Sequence, residues 1–146
     1  MLQDAFTKVY MKFKLHFYQS VFERLMDREA TLTTVETFCM EIIYALGRPT
    51  VAEFARMANI SSPNAAYKIS NLIKKGYLRK IQSETDKREY YLEVTDKYFA
   101  YYNISSNYMN RVMERIEERF SEEEIKDFVK ILEITADELM TEIELK

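Results

Sequence analysis

Glycine and proline are unusually scarce in this sequence, with two of each in 146 residues. These residues supply most of the tight turns and breaks in regular structure, so the chain has few places to reverse direction sharply. A many-stranded sheet needs frequent turns, whereas long helices do not. The scarcity therefore predicts a mainly helical protein with few and short connections.

Apolar residues recur at helical spacing at both ends of the chain. The stripe from Leu2 to Leu25 predicts one helix, and the stripes over 98–120 and 125–143 predict two more. Such faces must be covered, and packing on each other and on a second copy would cover them. We predict a homodimer formed by the N- and C-terminal helices. An intramolecular helical bundle in a monomer is the alternative.

Two capping patterns mark the starts of the second and third helices. Thr33 and Glu36 have the spacing of a capping box, in which the hydroxyl and the carboxylate accept hydrogen bonds from backbone N–H groups. Thr50 and Glu53 repeat this spacing. We predict a second helix that ends near Leu46 and a short third helix over 51–58.

A fourth helix follows after a sharp turn. Asn59 tolerates the left-handed backbone conformation that such a turn requires. Ser62 is then the predicted N-cap, Pro63 the first helical residue and Gly76 the C-terminal stop. Two short helices joined in this way form a helix-turn-helix pattern. The apolar face of the fourth helix is predicted to carry Ala66, Ile69, Leu72 and Ile73.

A β-hairpin follows the fourth helix directly. Residues 77–81 and 90–94 are rich in β-favouring side chains, and a polar loop over 82–89 separates them. The sequence thus predicts a mainly α protein of six helices with a small β-hairpin wing, which is a winged helix-turn-helix. We expect residues 31–95 to form this lobe, and residues 1–30 and 96–146 to form a helical dimerisation region, in one intertwined domain.

Basic charge is concentrated in one part of the chain, although the net charge is −3. Residues 61–92 carry seven basic and three acidic side chains, whereas residues 93–146 carry seven basic and fourteen acidic ones. The positive segment coincides with the predicted fourth helix and wing. This distribution favours a polyanionic partner for that part of the molecule.

Several other classes of protein are disfavoured. No apolar run approaches the ~20 residues that span a bilayer, and the single cysteine, Cys39, suits a reducing compartment, so we expect a cytoplasmic protein without membrane contact. Phosphate loops, nucleophile elbows, dinucleotide glycines and metal-ligand clusters are missing, so we expect no enzymatic activity, cofactor or metal. His16 is interpreted as a helix-face residue, and Cys39 as a buried, inert side chain, with redox sensing as its alternative role.

The segment from the second helix to the wing resembles the MarR (multiple antibiotic resistance regulator) family of winged helix-turn-helix transcription regulators. The similarity is most specific in the wing, Ser83 to Thr95, with its acidic residue, two basic residues, apolar strand and closing threonine. The junction from Ile73 to Leu78 is also similar. The resemblance covers about residues 33–97. It implies an obligate dimer whose recognition helices enter major grooves and whose wings enter minor grooves.

The exposed start of the fourth helix is predicted to read base edges or hold phosphates, because short polar and basic side chains there match the donors and acceptors of the major groove. In the wing, Arg88 is predicted to enter the minor groove, Asp86 to fix its rotamer and Lys87 to meet phosphate. Thr50 is a predicted phosphate contact. The predicted residues on the helix are Ser61, Ser62, Asn64, Ala65, Tyr67 and Lys68.

The functional hypothesis is a DNA-binding transcriptional regulator that binds a pseudo-palindromic operator as a homodimer. The resemblance implies a repressor relieved by a small-molecule effector, but the sequence identifies no residues for the ligand pocket. The alternative is a winged-helix protein-interaction module without sequence-specific DNA binding, in which the wing and Lys68 carry only solvated charges.

Overall fold

The computed structural model describes residues 1–26, 32–102 and 104–145 of the chain. Seven α-helices and one antiparallel hairpin lie within these ranges, and a π-helical turn, Thr135–Leu139, extends the last helix. The α-helices are α1 (Leu2–Leu25), α2 (Thr34–Ala45), α3 (Val51–Ala58), α4 (Ser62–Lys74), α5 (Asp96–Tyr102), α6 (Ile104–Arg119) and α7 (Glu122–Ile134), and the strands are β1 (Leu78–Gln82) and β2 (Tyr90–Val94).

The mainly helical fold with a hairpin wing confirms the predicted fold class. The sequence predicted one helix from Tyr98 to Phe120, whereas the structure has α5 and α6 there, with Asn103 between them outside the described residues. The predicted lobe boundary near residue 31 also falls outside them, in 27–31. Backbone contacts divide the chain into a unit of residues 1–104 and a unit of residues 105–146. The predicted division into a winged-helix lobe and a dimerisation region stays a prediction.

The core of the first unit lies where α2, α3, α4 and the hairpin meet. Its largest side chains are almost wholly removed from solvent, and each contributes about 1.5–3 kcal/mol through burial. These core side chains come from all four elements, so the apolar face of each element is covered only when the others pack against it. The core residues include Met40, Ile43, Phe54, Ile69, Leu72, Tyr77, Leu78, Leu92 and Tyr98.

Side-chain caps fix the starts of α2, α3 and α7, and those of α2 and α3 lie where the sequence predicted them. Thr33 and Glu36 form a reciprocal capping box at α2, and Ser121 and Glu124 form another at α7. At α3, Thr50 accepts a hydrogen bond from the Glu53 backbone N–H (3.1 Å). These interactions satisfy N–H groups that the helix itself leaves without partners.

The wing is a regular antiparallel hairpin extended by a short third segment. Leu78 pairs with Val94 at its base and Gln82 with Tyr90 at its tip. The Leu92 N–H donates to the Pro49 carbonyl (2.8 Å), and Thr50 forms a β-bridge with Tyr91. The chain that enters α3 is therefore tied to β2, which fixes the wing against the helix-turn-helix.

Apolar side chains remain exposed at both ends of the chain. In α1, the C-terminal part packs on α2 through Phe17 and Phe38, whose ring centroids lie 6.2 Å apart, and Val21 is buried. Most of the remaining α1 stripe faces solvent, and α7 has no buried residue. No described helix is both long and apolar enough to cross a membrane. The exposed residues are Leu2, Phe6, Val9, Tyr10, Leu15 and Phe22 in α1, and Phe128, Val129, Ile131, Leu132, Leu139, Met140 and Ile143 in the C-terminal segment.

Candidate nucleic-acid interface

The turn that presents α4 depends on one left-handed residue. Asn59 has φ 55° and ψ 47°, as its position in the sequence predicted. The Ile60 N–H then returns to the Ala55 carbonyl (3.1 Å), which closes the end of α3. Ser61 follows in extended backbone and begins α4. The two helices are joined by three residues, which makes their relative orientation rigid.

The N-cap of α4 lies one residue earlier than predicted. The Ser61 hydroxyl accepts a hydrogen bond from the Asn64 N–H (3.3 Å), and Ser62 is the first helical residue. Pro63 is therefore the second residue of the helix, where its missing N–H is still harmless. Ser62, Pro63 and Asn64 are all exposed. The start of α4 thus presents polar side chains to solvent, together with first-turn backbone N–H groups that have no partner within the helix.

The buried face of α4 differs from the predicted one by one residue. Ala65 is 0% exposed and lies in the core with Ile69 and Leu72, whereas Ala66 is exposed. The prediction that Ala65 touches a base is therefore wrong, since its methyl group contacts the protein interior. The placement of Ala66 on the apolar face is wrong for the same reason. Successive residues differ by about 100° around a helix, so one step exchanges core for solvent.

The other predicted residues of α4 are accessible. Ser61, Ser62, Asn64 and Tyr67 are exposed, and Lys68 is half-buried. Tyr67 has 67% of its surface accessible. Ser70, one turn further along, is exposed on the same side, although sequence reasoning did not select it. Contact of these side chains with bases stays a prediction.

Lys68 lies close enough to α2 for its charge to act on Cys39. Burial raises the pKa of the Cys39 thiol, and the Lys68 ammonium only partly opposes this effect. The thiol therefore stays protonated at neutral pH and is poorly nucleophilic. His16 lies on α1, where the Ser20 hydroxyl is 3.5 Å from its Nδ1 atom. Groups of three or more His, Cys, Asp or Glu arranged for a metal do not occur among the described residues.

The tip of the wing holds a preoriented cation. Asp86 Oδ1 accepts hydrogen bonds from the Arg88 backbone N–H (3.0 Å) and Nε (3.2 Å), and Oδ2 accepts from Nη2 (3.4 Å). These bonds, the backbone one first, lower the pKa of Asp86. The side chain of Arg88 is nevertheless 92% exposed. The predicted charge-assisted contact is thus present, and it orients a guanidinium that faces solvent.

Hydrogen bonds within the loop give the tip a defined shape. The Ser83 N–H donates to the Glu89 carbonyl (2.9 Å), and the Glu89 N–H donates to the Asp86 carbonyl (3.0 Å). Gln82 Nε2 donates to the Lys87 carbonyl (2.7 Å). The Lys87 side chain is exposed at the tip. Arg88 therefore projects from an ordered turn.

The end of α4 is fastened to the base of the wing. Gly76, at φ 85°, ends the helix, and the Tyr77 N–H returns to the Leu72 carbonyl (3.0 Å). The Thr95 hydroxyl donates to the Gly76 carbonyl (2.6 Å), and Lys97 Nζ donates to the Lys75 carbonyl (2.6 Å). The role of Lys97 was missed, because a contact across 22 residues leaves no local signal. These bonds hold the end of α4 against the chain that leaves the wing.

Thr50 caps the start of α3. Its side chain is buried, accepts from the Glu53 N–H and donates to Glu53 Oε1 (3.4 Å). The structure therefore gives the side-chain hydroxyl a capping role, and the phosphate contact of Thr50 stays a prediction. The sequence suggested both a capping role and a phosphate contact for Thr50, and the structure shows the capping role.

Two arginines near the base of the wing were also missed. Arg48 Nη2 lies 3.3 Å from Glu93 Oε2, and Arg79 Nη2 lies 2.8 Å from Glu93 Oε1. Side chains alternate between the two faces of a strand, so the sequence predicts that Arg79 and Glu93 share a face only if the pairing register of the two strands is already known. Nothing local in the sequence relates Arg48 to either of them.

Comparison with known proteins is consistent with this geometry. The model of the MarR family matches residues 32–90, from the start of α2 to the first residue of β2. A comparison with the sequences of curated proteins finds no match.

Solved structures share the fold over almost the whole chain. FabT from Streptococcus pneumoniae, in complex with DNA, is 20% identical with a TM-score of 0.62 and 97% of each chain covered. The transcriptional regulator Tm0710 from Thermotoga maritima is 17% identical with a TM-score of 0.63 and 96% of each chain covered. A mutant of S. aureus MepR, bound to an oligodeoxyribonucleotide, is 15% identical with a TM-score of 0.52, covering 96% of this chain and 99% of that one. The segment from α2 to the start of β2 is thus similar to the MarR family, and the fold of the chain is that of these solved structures.

Proposed function

We propose that this protein regulates transcription by binding duplex DNA as a homodimer, with α4 in a major groove and the wing in a minor groove. The observation that carries the proposal is Arg88, a nearly fully exposed guanidinium that Asp86 holds in one orientation. A preoriented arginine suits the negative potential of a narrow minor groove and loses little rotamer entropy on binding.

The exposed start of α4 supports the same function. Asn64 can form two hydrogen bonds with an adenine edge, and Lys68 can reach a guanine or a phosphate. The first-turn N–H groups at Ser61 and Ser62 suit a backbone phosphate, because the helix dipole places partial positive charge there. Two of the similar proteins, FabT and MepR, have structures with DNA or an oligodeoxyribonucleotide bound.

Dimerisation is supported by the apolar surface that a single chain leaves exposed. α1 and the C-terminal segment together present more than a dozen large apolar side chains to solvent. Apolar helix faces are normally covered by other elements or by a partner chain. A two-fold dimer would repeat the α4–wing unit, and it would favour a pseudo-palindromic operator with half-sites about one helical turn apart.

Repression relieved by a small molecule is the regulatory mode that we propose on family grounds. Occupation of a promoter by a dimer blocks access for polymerase, and a ligand that favours a different spacing of the two α4 helices would release it. A reporter gene driven by the selected operator tests this part. Repression requires expression of the protein to lower reporter output; unchanged or raised output contradicts it.

The DNA-binding test uses duplexes selected from a random library by the wild-type protein, followed by anisotropy titrations at several salt concentrations. We expect Arg88→Ala to weaken binding at least about tenfold, since a lost charged contact is worth about 1.5–3 kcal/mol. Arg115→Ala, which removes an exposed arginine of α6 outside the winged helix, serves as the matched control.

Two results would contradict the proposal. One is wild-type retention on duplex DNA that does not weaken as salt rises, since lysine and arginine contacts displace condensed counterions. The other is equal affinity for Arg88→Ala and Arg115→Ala. Either result would leave the protein-interaction module as the better explanation. Light scattering tests the dimer independently: a particle of only 17.5 kDa at micromolar concentration would refute it.

A further inference from the structure

Two arginines from different segments converge on one carboxylate at the side of the wing. Arg48 Nη2 contacts Glu93 Oε2 and Arg79 Nη2 contacts Glu93 Oε1, so each carboxylate oxygen receives one guanidinium. The arginine side chains remain 59% and 64% exposed, whereas Glu93 is 32% exposed. The cluster carries a net positive charge and presents it to solvent.

The strand register places this cluster on the outer face of the hairpin. Arg79 pairs with Glu93, and the next pair on the same face is Ile81 with Tyr91. The opposite face carries Leu78 and Leu92, which are buried in the core. The cluster therefore points away from the helices that pack beneath the sheet.

A cleft of about 310 Å³ adjoins the cluster on this outer face. Both Arg48 and the segment that leads to the wing tip line it. The half-buried Tyr91 also lines it. The cleft is therefore large enough for a phosphate group and part of a sugar beside Arg48, the one arginine among the described residues that line it. Its lining residues are Arg48, Ile81, Gln82, Ser83, Glu84 and Tyr91.

Stability alone does not explain the convergence on Glu93. The position of the wing is already fixed by the Leu92 N–H to Pro49 bond and the Thr50–Tyr91 bridge. Ion pairs between exposed side chains contribute little to folding. Two guanidiniums on one planar anion, by contrast, form the arrangement by which arginine binds phosphate.

We propose that Arg48 and Arg79 form a phosphate-binding clamp in which the Glu93 carboxylate takes the place of phosphate oxygens when no phosphate is bound. The proposal rests on the DNA-binding function above and extends it. The clamp lies three residue pairs, about 10 Å along the strands, from the last strand pair, Gln82 with Tyr90, beyond which the loop carries Arg88. When this loop enters a minor groove about 6 Å wide, we expect the clamp to remain outside the groove and to face the phosphates of its border. The ligand is a phosphate group, supplied by that backbone or as free inorganic phosphate.

The first arm measures duplex binding against salt for wild type, Arg48→Ala and Arg79→Ala. Each substitution is expected to weaken binding about tenfold. It should also reduce the slope of log affinity against log salt by about 0.9, the value for one lost phosphate contact on B-DNA. The loss should be equal for selected and random duplexes, because phosphates carry no sequence. Arg115→Ala should change neither quantity.

The second arm removes the competing carboxylate. Glu93→Gln keeps the shape of the side chain and releases both arginines, so duplex affinity should rise about two- to fivefold, the range expected for an exposed ion pair. Glu89→Gln removes the same charge from the same hairpin and is the matched control. The gain from Glu93→Gln should disappear in an Arg48→Ala/Arg79→Ala background, whereas a gain from Glu89→Gln should persist. Weaker binding by Glu93→Gln would show that Glu93 only positions the wing, and it would overturn the clamp.

A third arm titrates inorganic phosphate at constant ionic strength and follows the melting temperature. An increase for wild type that Arg48→Ala/Arg79→Ala lacks, with unchanged salt slopes, assigns the clamp to free phosphate. Reduced slopes without a phosphate effect assign it to the DNA backbone. Unchanged slopes together with equal phosphate responses overturn the clamp while leaving the proposed function intact. If the wild-type protein binds no duplex, the proposed function fails and the phosphate arm alone decides the clamp.

Discussion

Glu36 connects the start of α2 to the end of α4, so its removal tests how the winged helix is held together. Its Oε1 atom accepts hydrogen bonds from the Thr33 N–H (3.0 Å) and from Lys75 Nζ (2.7 Å). Lys75 is the C-cap residue of α4. Glu36 is buried and Lys75 is about one-third exposed. One carboxylate thus serves a capping box and an ion pair between two helices.

The size of the effect depends on which of these two roles is lost. Glu36→Gln keeps an oxygen for the Thr33 N–H but loses the charge, and a charged hydrogen bond exceeds a neutral one by about 1 kcal/mol. Glu36→Ala also loses the cap, which is worth about 1 kcal/mol. Because solvent screens Lys75 in part, we expect losses of about 1 kcal/mol for Glu36→Gln and about 2 kcal/mol for Glu36→Ala.

The stability difference between wild type and Glu36→Gln should depend on pH, which a loss of packing alone would not produce. Burial raises the pKa of Glu36, but the bonds from Lys75 and Thr33 more than offset this, and the pKa lies below its ordinary value of 4.5. A carboxyl whose pKa is lower in the folded state than in the unfolded state stabilises the protein at pH values above its unfolded-state pKa. This stabilisation is lost as the pH falls through the folded-state pKa. The difference between wild type and Glu36→Gln should therefore be complete at pH 7 and shrink below about pH 4.5.

Urea denaturation followed by circular dichroism measures these differences, with all chains at one concentration because association would shift the midpoint. Glu124→Gln is the matched control: it belongs to the same kind of capping box on α7, where the Ser121 N–H donates to Glu124 Oε2 (2.9 Å). Equal stability of Glu36→Gln and wild type at pH 7, or a difference that persists at pH 3, would refute the assigned role of the ion pair.

Two further substitutions test the packing and the turn that present α4. Leu72→Ala, at a fully buried position, should cost about 2–5 kcal/mol of unfolding free energy, and a loss below 1 kcal/mol in urea would contradict its place in the core. Asn59→Gly should be nearly neutral, whereas Asn59→Ala should cost about 1 kcal/mol, because only the alanine is strained at φ 55°. Equal melting temperatures for the two Asn59 variants would argue against the left-handed turn.

Much of this fold could be predicted from short segments of sequence. The capping boxes at Thr33 and Ser121 are spaced patterns whose partners lie three residues apart, and both are present. Asn59 and Gly76 occupy left-handed positions because few other residues tolerate them. The contact between Asp86 and Arg88 spans two residues. Each of these features depends on neighbours along the chain, so a single sequence is sufficient to specify it.

The errors lie where a local pattern allowed two outcomes. Ala65 and Ala66 are chemically identical neighbours, and only the packing of α4 on the core decides that Ala65 is buried. Ser61 and Ser62 are both competent caps, and the backbone that leaves the Asn59 turn selects Ser61. In each pair the two side chains are the same, so residue type alone cannot predict which of the two is buried or which one caps the helix.

The amino-acid order by itself determined the element types, the helix-turn-helix, the wing and the charge of the segment that forms them, because periodicity, caps and turn residues act over a few positions. Only the tertiary structure decided that Thr50 is covered, that Lys97 and Thr95 fasten the wing to α4, and that Arg48 and Arg79 meet at Glu93. These contacts join residues brought together by burial of a shared core. Their geometry is fixed by how the helices and strands pack, which no local pattern encodes.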